Sequence, residues 1–435
     1  MKFQYYLVAL AIGGAAGLQS VSAQEQLLNA GVKDADGNAE NVYFFAPATA
    51  DTQRAAVDDP VIQAMQGDAS VLSIEPIAVD ARLLDGATRS FYLNFAPGLV
   101  FPVRQLNSYW INDEYTAWTG EVDIGIDQPL SDNEVNPNQV VFVRSGDQVF
   151  GQIQIEGQVF EVTSLATTGY ALVERDFSVL GYEDDTPKET LDASIVPMRA
   201  PQQESFAADD GTRMTTSIVR VLLATSPQAI NAIGGTTAIV NRMNFFIAQS
   251  NQAYANNGLA LQLQDAGKWN TGATERSTAQ SNASGLRNGS DGYIDNFAGS
   301  IRNNAAADLV GLIVSTPSDP GICGIVNAIG GNQSNGFFVV KYSCTNYTFV
   351  HEIGHLFGAR HDNDPNTSPF SYGHGFVSSS GNFRTIMAVS SNPQPRIGFF
   401  STPGQSFNGV TMGTSSFRDN ERVHDVRRAT MASFR

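Results

Sequence analysis

The sequence lacks the features of several protein classes. After residue 23 it has no apolar run long enough to cross a bilayer, so we expect a soluble mature product that does not bind membranes. Residues 24–210 contain no cysteine and no histidine. This part of the chain can therefore supply neither a thiolate nor an imidazole to a metal. The whole chain has two cysteines and five histidines, and every histidine lies after residue 350.

The first 23 residues have the order of a secretory signal peptide. Lys2 precedes an apolar run over residues 5–18, and small residues follow at positions 21–23. The run is shorter than the about 20 residues that a membrane span needs. We predict export with cleavage after residue 23. Because the chain leaves the reducing cytosol, Cys323 and Cys344 can pair, although the sequence leaves two free buried thiols open.

Charge divides the chain into two parts. Residues 24–210 carry 31 acidic and 9 basic side chains, a net charge of −22, whereas residues 211–435 carry 12 acidic and 16 basic side chains, a net charge of +4. A chain of this length is also expected to form two domains. We predict an α+β protein with an acidic β-rich domain over residues 24–182, an exposed linker over residues 183–210 and a second domain over residues 211–435.

Hydrophobic periodicity predicts the elements of both domains. For the acidic domain it predicts a mobile polar stretch over residues 34–59 and strands over residues 90–95, 140–143, 149–155 and 158–162, with the last two forming a hairpin. For the second domain it predicts strands over residues 217–225, 259–263, 308–315 and 337–342, and helices over residues 238–254 and 292–304.

The segment HEIGHLFGARHD at residues 351–362 carries metal chemistry. We predict a helix that begins at Tyr347, capped by the side chain of Asn346. Its buried stripe recurs every four residues, at Phe349, Ile353 and Phe357. The alternative is an ordinary helix with chance histidines, but five fixed positions coincide by chance with an expectation on the order of 10⁻⁵ or less.

Three histidines of this segment form a candidate metal site. His351 and His355 lie four residues apart and therefore on one face of the helix. Gly358 can take the left-handed conformation that ends a helix, which lets the chain turn and bring back His361 as a third ligand. Three imidazoles leave one position open, as in a catalytic zinc site. Glu352 follows the first ligand, so it projects beside the metal and can act as a general base.

HEIGHLFGARHD resembles the zinc signature of the metzincin peptidases. Asp362, directly after the third histidine, is similar to the reprolysin-like branch and is expected to fix the turn by hydrogen bonds. Thr385-Ile386-Met387-Ala388 resembles the methionine-bearing turn of these enzymes, and Met387 would form an apolar floor under the histidines. Val389 stands where some metzincins have a metal-binding tyrosine, so we expect no fifth protein ligand.

Three further segments, at residues 373–376, 383–387 and 396–401, resemble a narrower family, the bacterial peptidyl-Asp metalloendopeptidases. The likeness covers residues 217–435, and the acidic domain resembles the β-rich propeptides of such enzymes more loosely. The resemblance implies a metzincin-like catalytic domain, with a twisted mixed sheet, long helices, a zinc helix and a methionine turn, preceded by a propeptide. It also implies one Zn²⁺ per catalytic domain, a secreted monomer, and protein or peptide substrates but no nucleic acid.

A family that cleaves before aspartate needs a positively charged side chain in its substrate pocket. The planar guanidinium group of arginine can bind a carboxylate through two hydrogen bonds. Arg396, shortly after the methionine turn, is the first candidate for this role, followed by Arg384 and Arg360. The alternative is that Arg396 is a surface arginine without a role in binding. Gly398 departs from the proline expected in the pocket wall. Asp362-Asn363-Asp364 can be a calcium loop or a solvated turn.

Latency and maturation follow from the same reading. A cysteine switch is excluded because the acidic domain has no cysteine. As an intramolecular inhibitor or chaperone, that domain can instead present a carboxylate to the metal or to the arginines. A peptidase that cuts before aspartate can process its own linker. We expect cleavage of the bond between Ala208 and Asp209, and the bonds before Asp192 and Asp184 are the alternative sites for an earlier cut with later trimming. Two other hypotheses remain: a zinc-bearing adhesin or binding protein without turnover, and an acidic domain that is a permanent binding module.

Overall fold

The computed structural model describes residues 42–96, 98–125, 132–167, 169–180, 216–315, 322–389 and 391–435. The predicted signal peptide and the Ala208–Asp209 bond lie outside the described residues. Within the described part, none of the helices combines the length and the hydropathy that a membrane span requires. The acidic part of the chain forms a β-barrel, and the basic part forms a mixed sheet with helices.

The acidic barrel is closed by nine strands of the described residues, in the order β1-β2-β9-β8-β7-β6-β5-β4-β3. These are β1 Tyr43–Pro47, β2 Val71–Val79, β3 Ser90–Ala96, β4 Leu99–Trp110, β5 Thr116–Val122, β6 Gln139–Ser145, β7 Gln148–Ile155, β8 Gln158–Ser164 and β9 Tyr170–Arg175, with helices α1 Ala50–Ala56 and α2 Pro60–Gln66 between β1 and β2. The β1–β3 pair is parallel and closes the barrel. Rings of Phe44, Phe91, Trp118 and Phe142 pack in its interior.

The predicted hairpin is present as β7 and β8, and its two turn residues, Glu156 and Gly157, have positive φ angles of 48° and 81°. Such angles are those of a tight hairpin turn. The prediction of a mobile stretch over residues 34–59 is wrong where the structure describes it. Residues 43–47 form β1, and residues 50–56 form α1. Strand β1 has the apolar pair Phe44 and Phe45, both buried, and this pair brings it into the barrel.

The second part is built on a five-stranded sheet with the order β11-β10-β12-β14-β13. Its strands are β10 Ser217–Thr225, β11 Leu261–Asn270, β12 Leu309–Val314, β13 Gly324–Val326 and β14 Phe337–Lys341. Four strands run parallel, and the edge strand β13 is antiparallel. The helices are α3 Pro227–Ala232, α4 Thr236–Asn256, α5 Ala279–Arg287, α6 Asp295–Ala298, α7 Ser300–Asn304, α8 Thr348–Phe357 and α9 Asn420–Met431. Two small hairpins follow α8, β15 Val377–Ser378 with β16 Phe383–Arg384, and β17 Ser406–Phe407 with β18 Val410–Thr411.

Two predictions for this part need correction. The strand placed at residues 259–263 is β11, which begins two residues later and continues to Asn270, because it pairs with β10 over that length. The helix placed at residues 292–304 is two short helices. Gly299 separates them, and its ψ of −102° is far from helical. Cys323 and Cys344 form a disulfide with a Cα–Cα distance of 5.7 Å, which links the start of β13 to the segment before α8.

Candidate metal centre

Helix α8 lies in the protein interior, and each of its ten residues is buried. It begins one residue later than predicted, because Tyr347 is at the N-cap in a left-handed conformation with φ of 62°. No side chain caps the helix, so the prediction of an Asn346 cap is wrong. The backbone of Tyr347 still closes the first turn, since its carbonyl oxygen accepts a hydrogen bond from the His351 N–H at 3.0 Å.

Three histidines converge at this helix. The Nε2 atom of His361 lies 3.1 Å from Nε2 of His351 and 3.0 Å from Nε2 of His355. Gly358 makes this possible, because its φ of 110° ends α8 and turns the chain. Two nitrogens bound to one zinc at about 2.0–2.1 Å and a tetrahedral angle are separated by about 3.3–3.4 Å. The histidine spacing is therefore close to that of a zinc site.

Hydrogen bonds orient two of the three rings. Nδ1 of His351 donates to the Ile386 carbonyl oxygen, and Nδ1 of His355 donates to the Ala359 carbonyl oxygen, both at 2.8 Å. In the neutral rings, the Nε2 atoms of His351 and His355 then carry lone pairs directed at His361. His361 can donate one hydrogen to only one of them. A cation among the three nitrogens satisfies all of them, so the residues fit a metal, and such carbonyl partners are typical of metal-binding histidines.

The structure brings no other histidine, cysteine or carboxylate into this group within the described residues. His374 has partners elsewhere, since its Nε2 donates to the Asn366 carbonyl oxygen at 2.9 Å and its ring is stacked on Phe417. His424 is fully buried, with Nδ1 at 2.8 Å from the Asn420 carbonyl oxygen. Burial lowers its pKa to about 4. The two remaining histidines thus lie outside the cluster.

Glu352 is fully buried on α8, directly after His351, and its carboxylate lies against the edge strand β13. A Cβ atom added to Gly324, the first residue of β13, would overlap the Glu352 carboxylate. The position of Glu352 therefore requires glycine at residue 324. Sequence reasoning missed Gly324, and the signal that could identify it is its place directly after Cys323, whose disulfide fixes this edge near the helix.

The methionine turn packs against helix α8. Met387 is fully buried, and a Cβ atom added to Gly354 would lie 2.5 Å from its Sδ atom. Asp362 holds the following segment, since its Oδ1 accepts a hydrogen bond from the Val389 N–H at 3.0 Å. Its Oδ2 lies 3.3 Å from the side-chain amide of Asn392. The turn is thus linked to the histidine cluster through Asp362, next to His361, and through the bond from His351 to Ile386.

The three candidate arginines differ in their surroundings. Arg360 forms an ion pair with Asp364 and a hydrogen bond to the Ser368 carbonyl oxygen, which makes it the weakest candidate. Asp364 is thus the acidic partner in an ion pair within the protein. Arg384 directly precedes the methionine turn and Arg396 follows it, and a parallel β-bridge joins the two residues. Both are buried and both donate to the Ala388 carbonyl oxygen, at 2.6 Å and 3.2 Å.

Gly398, which stands where a proline of the pocket wall is expected, lies against the side chain of Tyr347. A Cβ atom added there would lie 2.5 Å from the hydroxyl oxygen of Tyr347. The absence of a side chain at residue 398 therefore makes room for the Tyr347 ring, which is buried next to the start of α8.

Residues 215–401 match the model of metallo-peptidase family M12 named Reprolysin_5. Over 406 residues the chain is 34% identical to a peptidyl-Asp metalloendopeptidase of Stenotrophomonas maltophilia, covering 90% of this chain and 94% of that protein. A protein of the same name from Xanthomonas campestris is 32% identical, with coverage of 90% and 87%. Among solved structures, metalloproteinase-II from Bacteroides fragilis is similar with a TM-score of 0.39 and 12% identity, over 65% of this chain and 84% of that chain.

Proposed function

Because the chain belongs to the peptidyl-Asp metalloendopeptidase family and is a metalloendopeptidase, we propose that it is a secreted zinc enzyme, made as a zymogen, that hydrolyses peptide bonds on the N-terminal side of aspartate. The convergence of three Nε2 atoms on one point is the observation that carries the choice of metal. Imidazole ligands in a three-histidine set with an open fourth position suit zinc.

His351, His355 and His361 would hold the ion. A zinc ion bound there supplies Lewis acidity toward the scissile carbonyl and the attacking water. Glu352 acts as the general base, since it directly follows His351 on the helix and is fully buried there. It accepts a proton from the attacking water and returns it to the leaving amine. No covalent intermediate with the protein is required.

The preference for aspartate is supported by Arg384 and Arg396. Two guanidinium groups that share the Ala388 carbonyl oxygen concentrate positive charge beside the methionine turn. A substrate carboxylate can bind such a pair through charge-assisted hydrogen bonds. Replacement of Arg396 by Gln should reduce kcat/KM for a peptide cleaved before Asp by about 10-fold or more, but not for a peptide with Asn there. An equal loss for both peptides would show that Arg396 has only a structural role.

Zymogen formation is supported by the signal-like first 23 residues and by the charge difference between the two parts of the chain. We propose residues 24–182 as the propeptide and the linker over residues 183–210 as the site of maturation. Mass measurement of the secreted protein separates this proposal from a permanently retained acidic module. A mature protein that starts at Asp209 supports self-processing, whereas one that starts after Arg199 or Arg213 indicates a trypsin-like activator.

Hydrolysis of an unfolded protein substrate, with mapping of the cleavage sites by mass spectrometry, tests the proposed function. We expect cuts before Asp, loss of activity in a chelator, and recovery when Zn²⁺ is added back. His355→Ala should lose both metal and activity, because two histidines bind zinc poorly. Activity that persists in the chelator would contradict the metal assignment. A zinc-loaded protein that cleaves nothing would support the alternative of a zinc-bearing adhesin.

A further inference from the structure

Strands β6 and β7 of the barrel lie against the second part of the chain, residues 216–435, which we call the catalytic part. They bury both of their faces. Val140 and Phe142 of β6 point into the barrel core, whereas Val141 and Val143 belong to the core of the catalytic part. Phe150 of β7 lies in that second core as well, with its ring 5.0 Å from the ring of Phe245 on α4. One apolar core therefore continues from the catalytic sheet into the outer face of the barrel.

A charged group lies within this buried contact. Glu161 of β8 is 1% exposed and accepts a hydrogen bond from Thr345 Oγ1 at 2.6 Å. Its other oxygen is 3.0 Å from Nε of Arg175 in the barrel and 3.6 Å from a terminal nitrogen of Arg242 on α4. The Arg242 guanidinium also lies 4.2 Å above the Phe150 ring. Burial raises the pKa of Glu161, but Arg175 and Arg242 offset this and leave it below the ordinary value. The carboxylate is therefore charged in the contact.

Two glutamines of β7 extend the contact toward the metal helix. Gln154 Nε2 donates to the Arg396 carbonyl oxygen at 2.5 Å, and its Oε1 accepts from the Tyr347 hydroxyl at 3.2 Å. Gln152 Oε1 accepts from Gln249 of α4 at 2.9 Å. Together with Glu161, these side chains bind the segment from Thr345 to Tyr347. That segment ends one helical turn before His351, the first of the clustered histidines.

We propose that the barrel remains bound to the catalytic part after the chain between them is cut, with Glu161 as its charged anchor, so that cleavage alone does not free the segment leading into the metal helix. This rests on the proposed function only in that maturation includes such a cut. The contacts described above join residues of β6–β8 to α4 and to residues 345–347, and cleavage between residues 180 and 216 removes none of them. Separation would expose an apolar face and leave Arg242 without Glu161, and both changes oppose dissociation.

The test uses the full chain with Glu352→Gln, so that it does not depend on peptidase activity, and with a cleavage site for an unrelated protease inserted between residues 180 and 216. After complete cutting, verified by mass in denaturant, gel filtration at about 1 μM reports whether the fragments co-elute. We expect co-elution. Adding Glu161→Gln leaves Arg242 buried without its charged partner and should weaken association by about 100-fold or more. Arg242→Met removes the same ion pair from the other side of the contact but leaves Glu161 paired with Arg175 of the barrel, so it should weaken association by about 10-fold or more.

Glu121→Gln is the matched control, since Glu121 pairs with Arg104 within the barrel at its exposed surface. It should leave co-elution unchanged. Circular dichroism of each uncut variant checks that it has folded, and the two anchor variants provide independent evidence if one of them has not. Separation of the unaltered fragments at this concentration would overturn the proposal. So would association of the Glu161→Gln and Arg242→Met fragments that is as tight as that of the control.

Discussion

Replacement of Gly354 by Ala should destabilise the protein, although Gly354 lies inside helix α8, where this substitution normally stabilises by about 1 kcal/mol. The added methyl group would lie 2.5 Å from Sδ and 3.3 Å from Cε of Met387. Met387 is fully buried and cannot move into solvent. Overpacking of this kind costs about 1–3 kcal/mol. The packing cost should exceed the gain in helix propensity, for a net loss of about 1 kcal/mol.

Thermal unfolding measures this effect, and the midpoint should fall by about 2–4 °C for each 1 kcal/mol lost. Met387→Ala removes the obstructing sulfur, so the double mutant should be more stable than the sum of the two single changes predicts, by about 1 kcal/mol or more. Gly67→Ala is the control, since no atom lies within 4 Å of its added Cβ. A raised midpoint for Gly354→Ala, or additivity with Met387→Ala, would refute the packing of Met387 against the metal helix.

Other changes test the surroundings of the site. Asp362→Ala removes the acceptor for the Val389 N–H, and kcat/KM should fall about 10- to 100-fold at full metal content; unchanged kinetics would dismiss a supporting role. His424 has a pKa of about 4 because it is buried, compared with 6.5 in the unfolded chain. Its contribution to stability is therefore complete above pH 6.5 and is lost, by up to about 3 kcal/mol, as the pH falls toward 4. In urea titrations His424→Leu should have a flatter pH dependence over this range than the parent, and equal slopes would contradict this. Changing Cys323 and Cys344 to Ser should lower the free energy of unfolding by about 3 kcal/mol, since the disulfide spans a sequence separation of 21; an unchanged urea midpoint would count against this.

The metal site could be predicted because its information is local. The spacing of His351 and His355 on one helix, the glycine that ends it and the return of His361 all lie within residues 351–361. The helix start was mispredicted because Tyr347 has a left-handed backbone conformation, and its ring lies against Gly398, 51 residues away. Local sequence contains no record of such a tertiary contact.

The closure and the docking of the barrel could not be predicted from alternation alone. In β7 and β8 the polar residues Gln152, Gln154 and Glu161 alternate with apolar ones, which is the pattern of a strand with one face in solvent. The structure buries these polar residues against α4 and the segment before α8. The contacts between the two domains join residues more than 80 positions apart. The pattern of polar and apolar residues in a single sequence does not indicate which distant residues pair.

The activity of Glu352→Gln per bound metal ion tests the central claim most directly. The substitution removes the proposed base but none of the three histidines, so the purified protein should contain about one zinc per chain, by elemental analysis. Its rate of peptide hydrolysis should be at least about 100-fold below that of the unaltered protein. Substantial hydrolysis by metal-replete Glu352→Gln would contradict the assignment of Glu352, and with it the mechanism proposed for this enzyme.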